Sequence, residues 1–253
     1  MSLDLVTIPC RADNYAFLLH DGRTGDTALV DAPEAAPVQA ELDRRGWRLT
    51  DILITHHHAD HVDGLEALRD GARVIGAAAD AHRLPPLDLE VSEGSALTVC
   101  GEEVAIYDVS GHTVGHIAFH FPETGVAFTA DSLMALGCGR LFEGTPQQMW
   151  QSLLKLRDLS PDTLICSGHE YTATNARFAL TIEPGNPELI SRAGAIDEAR
   201  AANRPTVPST LKEEIATNPF LRADVPELKQ AIGMDDAPDV EVFAEVRSRK
   251  DRF

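Results

Sequence analysis

Three consecutive histidines, then an aspartate and a fourth histidine, stand together in Thr55-His56-His57-His58-Ala59-Asp60-His61. Imidazole and carboxylate are borderline nitrogen and oxygen donors, suited to zinc, iron or manganese. The run follows the apolar triplet Ile52-Leu53-Ile54. It therefore stands in a loop at the end of a strand, where functional groups are usually presented. In extended backbone alternate side chains share a face, so His56 and His58 point one way and His57 another. Asp60 and His61 fall at the turn into the next helix and can face a second ion. The bland alternative is a solvated or tag-like histidine run. Such a run sits at a terminus and carries no interleaved aspartate, whereas this one lies between an apolar strand and a helix.

Four donors cannot complete the shells of two metals, and three further residues repeat the strand-end placement. In Ser110-Gly111-His112-Thr113-Val114-Gly115-His116, an apolar strand precedes His112, and Gly111 and Gly115 allow sharp turns. His112 is the candidate ligand. His116 and His120 fall where the strand pattern resumes, which favours a core or supporting role over ligation. Asp131 ends the apolar run Val126–Ala130, and its two oxygens can bridge two cations. His169, in Ser167-Gly168-His169-Glu170, again follows a short apolar strand. Two cations roughly 3.5–4 Å apart bring the pKa of a shared water to about neutral, which supplies hydroxide at pH 7. A hydroxide so supplied can attack an electrophilic carbon with no serine or cysteine nucleophile, and Asp131 could bridge the cations while Asp60 orients the hydroxide.

The elements that position these residues alternate in type through the first two-thirds of the chain. Leu5–Ile8, Ala16–Leu19 and Thr27–Val30 read as a strand meander separated by Gly-bearing turns. Ala35–Arg45 reads as a helix with Val38 and Leu42 four apart and Gly46 as C-cap. Ile52–Ile54 is a buried strand; a helix follows across Leu65–Arg69, then a strand at Arg73–Ile75. Later strands are expected near Ala96–Val99, Val104–Val109, Ile117–Phe121, Val126–Thr129 and Leu164–Cys166, with a helix over Gln147–Arg157. From Tyr171 onward the pattern is helical with proline and glycine breaks, and no strand alternation stands out. The expected organisation is a mixed α/β domain over residues 1–170 and an all-helical domain over residues 171–253.

The chain has 253 residues, 43% of them hydrophobic, enough for a sizeable core. No apolar run reaches the length of a transmembrane helix. The opening MSLDLVTIPCRADN lacks a basic segment followed by an apolar one, so cytoplasmic residence is the expectation. Cys10, Cys100, Cys138 and Cys166 are scattered with no C-x-x-C pair, and buried free thiols are expected. The net charge of −18 argues against partnership with nucleic acid or an anionic membrane. An anionic small substrate would need a local basic cluster. Arg247 and Lys250, three apart and on one face if the C-terminus is helical, could supply it, or they could form an ordinary solvated tail.

The signature H-x-H-x-D-H, present as His56, His58, Asp60 and His61, resembles that of the metallo-β-lactamase superfamily. Its fold is a four-layer αββα sandwich with metals along one edge. The resemblance implies a first metal on His56, His58 and His112, a second on Asp60, His61 and His169, and Asp131 bridging. Within that superfamily the chain is similar to the glyoxalase II family, the hydroxyacylglutathione hydrolases, over essentially its whole length. The matching stretches are Thr55–His61, Gly111–His116, Thr129–Asp131, Gly137–Thr145, Gly168–Thr172, Thr217–Arg222 and Arg247–Phe253. The resemblance implies two divalent ions per chain, with zinc first and iron or manganese as alternatives. It also implies a monomer that hydrolyses S-D-lactoylglutathione to glutathione and D-lactate, the second step of methylglyoxal detoxification. By the same resemblance Arg140, Tyr171, Arg247 and Lys250 hold the glutathione moiety. The family often carries lysine where this chain has Arg140, which keeps the charge but changes the contact geometry. A lactonase, a β-lactamase or a mononuclear-iron persulfide dioxygenase of the same fold is the alternative, and metal count per chain separates the last. A non-catalytic metal-storing scaffold is a further alternative, but a degenerate site should have lost a ligand.

Overall fold

The computed structural model describes residues 3–253, which fall into two compact units. The first comprises the chain up to Asp108 together with Val114–Ala130; the second comprises Val109–Thr113 and Asp131–Phe253.

The first unit opens with the expected meander. Strands β1 (Asp4–Cys10), β2 (Asn14–His20) and β3 (Thr27–Val30) pair antiparallel, with Val6 opposite Leu18 and Phe17 opposite Val30. Helix α1 (Ala35–Arg45) buries Val38 and Leu42 and stops at Gly46, whose φ of 69° is the left-handed cap that glycine adopts without strain. Next come β4 (Asp51–Leu53), the short helices α2 (Ala59–Val62) and α3 (Leu65–Leu68), then β5 (Arg73–Ala77) and β6 (Leu89–Val91). β3 to β6 pair parallel and complete a six-stranded mixed sheet in the order β1 to β6. Parallel strands bury both faces, which is why Ile52-Leu53-Ile54 reads as a continuous apolar run. Ile8, Leu18, Leu29, Val38, Leu42, Ile52, Ile54, Leu65 and Val74 share one core. A small hairpin, β7 (Thr98–Val99) with β8 (Glu102–Glu103), leads into β9 (Ala105–Asp108), β10 (Ile117–Phe121) and β11 (Val126–Ala130). β10 pairs antiparallel with both β9 and β11.

The second unit begins with the tight hairpin β12 (Leu133–Met134) and β13 (Gly137–Cys138). Helix α4 (Pro146–Arg157) starts at a reciprocal capping box between Thr145 and Gln148, with proline at its first turn, and buries Met149, Trp150, Leu153 and Leu156. β14 (Leu164–Ser167) is followed by α5 (Thr172–Ile182) and α6 (Pro187–Ala201), which enclose Leu136, Ala176, Ala179, Leu189 and Ile196.

Here the expectation of helix alone after Tyr171 is corrected: β15 (Ser209–Thr210) pairs antiparallel with β14. Two residues are too few to show an alternating pattern, and Thr210 also caps the next helix. Helices α7 (Leu211–Thr217), α8 (Pro226–Ile232) and α9 (Asp239–Asp251) complete the unit. A run of aromatic contacts, Trp150 to Phe243, Phe243 to Phe220 and Phe220 to Phe178, ties α4, α5 and α9 together. The four cysteines are free and buried. Among the described residues no helix is long and apolar enough to cross a membrane.

Candidate metal centre

In the first unit, β4 delivers Thr55 and the histidine run into a loop that turns into α2. The ring of His56 lies 4.8 Å from that of His58 and 4.2 Å from that of His61. His57 turns away, as strand alternation requires, and its Nδ1 meets the Asp80 carboxylate at 2.9 Å. Asp60 lies in the first turn of α2, where the Asn14 side-chain amide donates to its carbonyl and to its Oδ2 at 3.0 and 3.2 Å.

A buried carboxylate orders this loop. Asp31 accepts the Thr55 backbone N–H at 2.9 Å, the Thr55 hydroxyl at 2.9 Å, and His61 Nδ1–H at 2.7 Å. Because the acceptor is a carboxylate, the proton of His61 sits on Nδ1 and the lone pair on Nε2, the form that binds a cation. The Thr55 hydroxyl spends its proton on Asp31, so at 3.1 Å it accepts from His56 Nδ1, and the same logic leaves the His56 lone pair on Nε2. His116 stacks on His56 at 4.5 Å with the rings 12° apart. His120 is buried in β10, and burial pushes its pKa down, which suits a core residue.

The second unit holds His112, Asp131 and His169, all buried. The Nε2 atoms of His112 and His169 lie 3.4 and 3.3 Å from the same Asp131 oxygen, Oδ2. His112 Nδ1–H donates to the carbonyl of Arg140 at 2.7 Å, which again leaves Nε2 as the donor to a metal. The loop carrying His112 is pinned by the Ser152 hydroxyl on the Ser110 carbonyl (2.7 Å) and the Phe142 N–H on the His112 carbonyl (3.2 Å). Backbone passes so close here that a Cβ on Gly139 would sit 1.9 Å from the Asp131 carbonyl oxygen and 2.9 Å from His112 Nδ1. His169 stacks face to face on Tyr171, at 4.6 Å and 5°.

The side chains His56, His58, Asp60, His61, His112, Asp131 and His169 all belong to groups that could hold a metal ion. The donor set fits a hard-to-borderline divalent cation: imidazoles, of which His56, His61 and His112 are held with the lone pair on Nε2, and carboxylates.

The candidate substrate residues lie in the second unit. Arg247 and Lys250 share α9. The guanidinium of buried Arg247 donates to the Cys138 carbonyl at 2.9 Å, pairs with Asp251 at 2.9 Å, and lies over the Phe220 ring. Lys250 Nζ lies 5.1 Å from the Phe178 ring and 5.2 Å from that of Phe253. Burial first, then the neighbouring Arg247 and Arg177, push its amine down to about 8. Arg140 is 60% exposed, with Nε 3.8 Å from Asp251. Tyr171 is exposed.

Asp31 and Asn14 are the supporting residues that the sequence reading passed over. Asp31 directly follows the apolar strand Thr27–Val30, the same strand-end signal that singled out Asp131, so it was open to detection. Asn14 opens a strand and carries no such mark.

Residues 13–169 match the model of the metallo-β-lactamase superfamily, and residues 170–253 match that of the hydroxyacylglutathione hydrolase C-terminus. A hydroxyacylglutathione hydrolase of Cereibacter sphaeroides is 66% identical, with all of both chains covered, and one of Ruegeria pomeroyi is 64% identical over the same span. Among solved structures, ETHE1 from Myxococcus xanthus superposes with a TM-score of 0.66 at 22% identity, over 100% of each chain. At that identity the likeness speaks for the fold.

Proposed function

The chain belongs to the hydroxyacylglutathione hydrolase family of the metallo-β-lactamase superfamily, and from that membership we propose how its residues perform the hydrolysis. It is a hydrolase of the metallo-β-lactamase fold with a helical C-terminal region. Its reaction cleaves an S-(2-hydroxyacyl)glutathione, S-D-lactoylglutathione above all, to glutathione and the 2-hydroxy acid, the glyoxalase II step of methylglyoxal detoxification. The observation that carries the reading is full-length identity of 66% to a hydroxyacylglutathione hydrolase, with every candidate donor side chain present.

In the proposed site His56, His58 and His112 would hold one divalent cation and Asp60, His61 and His169 a second, with the Asp131 carboxylate available to both. Zinc is the first candidate, with iron or manganese as alternatives. When bound, such a pair lowers the pKa of water and polarises the thioester carbonyl. The chain's own contribution is orientation. Asp31 and the Arg140 carbonyl fix the tautomers of His61 and His112, and the hydroxyl of Thr55 does so for His56. Asp60, steadied by Asn14, directs the attacking water at the acyl carbon. The glutathione thiolate is a good leaving group and needs no strong general acid.

Arg140, Tyr171, Arg247 and Lys250 are proposed to hold the glutathione moiety, buried Arg247 through its positive charge. Together they give an anionic substrate a local welcome on a chain of net charge −18. The proposed division of labour is catalysis by residues 1–170 and substrate capture by residues 171–253, in a cytoplasmic monomer with no nucleic-acid or membrane partner.

The test is hydrolysis of S-D-lactoylglutathione by purified protein before and after chelation. Turnover abolished by chelator and restored by zinc, iron or manganese is expected; an inert protein, or chelator-resistant turnover, would overturn the reading.

A further inference from the structure

We infer that Asn218 and Glu214, with Asn175, are positioning residues for the hydrolysis: they clamp the Asp131–Arg140 turn, and so hold Asp131 and the carbonyl that orients His112. The inference rests on the proposed metal roles of Asp131 and His112.

The turn is short, and beyond the β12–β13 pairing its backbone is held by side chains from outside it. The Asn218 amide donates to the carbonyls of Met134 and Gly137 at 3.1 and 3.0 Å. The Asn175 amide donates to the carbonyl of Ala135 at 3.0 Å. Arg247 donates to the carbonyl of Cys138 and His112 to that of Arg140. At the tip, the Leu136 N–H donates to Glu214 Oε2 at 2.8 Å. Leu136 has a φ of 55°, a left-handed conformation that a branched side chain avoids unless its surroundings impose it. Five carbonyls and one N–H within seven residues are thus satisfied from outside the turn.

The clamp is itself fixed. Glu214 and Asn218 are fully buried. Glu214 accepts the Ser209 hydroxyl at 2.6 Å and pairs with Arg192, and its Oε2 lies 3.0 Å from Asn218 Nδ2, whose two N–H groups are shared among it and the two carbonyls. The Asn218 carbonyl oxygen accepts the Phe220 N–H at 3.0 Å, which leaves its amide no choice of orientation. A buried polar network with every group satisfied specifies one arrangement.

What the turn carries explains why rigidity matters. Asp131 precedes it, and Gly139 N–H closes it by donating to the Ser132 carbonyl at 3.2 Å. Gly139 packs against both Asp131 and His112. A turn free to relax would shift Asp131 and the Arg140 carbonyl together, and displacements of that kind loosen a metal site without touching a ligand.

The test compares Asn218→Ala and Asn175→Ala with the parent for metal affinity by chelator competition, kcat and KM on S-D-lactoylglutathione, and melting temperature. Asn218→Ala should weaken metal binding by about tenfold and lower kcat similarly, with KM within about twofold. Asn175→Ala, which loses one bond, should move the same way by less and serves if the first variant does not fold. Asn218→Gln, which keeps the amide, should recover part of the metal affinity. A role confined to stability would lower the melting temperature alone and leave the metal affinity and kcat of the folded variants at parent values; that result would overturn the inference. Metal affinity is read without turnover, so a parent that binds metal but does not hydrolyse the thioester would defeat the proposed function while leaving the clamp to be judged.

Discussion

Asp31→Asn is a change of one atom with a consequence that follows from proton counting. Asp31 accepts three hydrogen bonds, from the N–H and hydroxyl of Thr55 and from His61 Nδ1–H. Asparagine keeps the shape but has one acceptor oxygen and one N–H₂. With the oxygen retained against the Thr55 N–H, the amide nitrogen faces His61 Nδ1 from the Oδ2 position, 2.7 Å away. Two N–H groups cannot face each other at that distance, so the imidazole adopts the other tautomer. Its proton then sits on Nε2, the atom proposed to bind metal. Loss of such a supporting carboxylate costs about 10–100-fold in metal affinity, or about 1.4–2.8 kcal/mol. The metal-free protein should change less, because the Thr55 N–H and hydroxyl keep Oδ1 as their acceptor and the asparagine N–H gains His61 Nδ1 as its own. A net loss of about 1 kcal/mol or less moves the melting temperature by only about 2–4 °C at this length. Chelator competition on the metal-free protein gives the first quantity, and a thermal melt of the same sample gives the second. Affinity within twofold of the parent would refute the orienting role of Asp31.

Lys250 is protonated below its depressed pKa of about 8 and loses its charge as pH rises through that value. KM for the glutathione thioester should therefore climb above about pH 8, and Lys250→Met should show a high KM with no such climb. A parent profile that stays flat across that range would contradict the contact. Gly139→Ala would force its new methyl into the Asp131 carbonyl and His112. Destabilisation of about 1–3 kcal/mol and weakened metal binding are expected, and an unchanged melting temperature would show the crowding to be illusory. Burial raises the thiol pKa of Cys10 and Cys138 to about 11 and of Cys100 to about 12. A thiol reagent at mildly alkaline pH should label four cysteines only in denaturant, and rapid labelling of the native protein would contradict their burial.

The candidate donors could be singled out because they cluster at breaks in hydrophobic runs, and that pattern survives without coordinates. The same holds for Thr27–Val30, Ala35–Arg45 and Ile117–Phe121, whose ends match the structure. What escaped the sequence was short or indirect. β12, β13 and β15 have two residues each, too few for any period to show. Asn218 falls in the family-like stretch Thr217–Arg222, but nothing local to it or to Glu214 signals that their partners are some eighty positions away. Arg247 and Lys250, expected on one face if the C-terminus is helical, do share helix α9. Spacing could not show that one guanidinium is spent on the Cys138 carbonyl and on Asp251 while its neighbour is desolvated against aromatic rings.

Elemental analysis of the parent and of Asp131→Ala, with thioester hydrolysis measured on the same preparations, tests the paired-cation claim most directly. Two divalent ions per chain are expected in the parent, with metal content and activity falling together in the variant. One ion per chain in an active parent, or full activity with Asp131 removed, would contradict it.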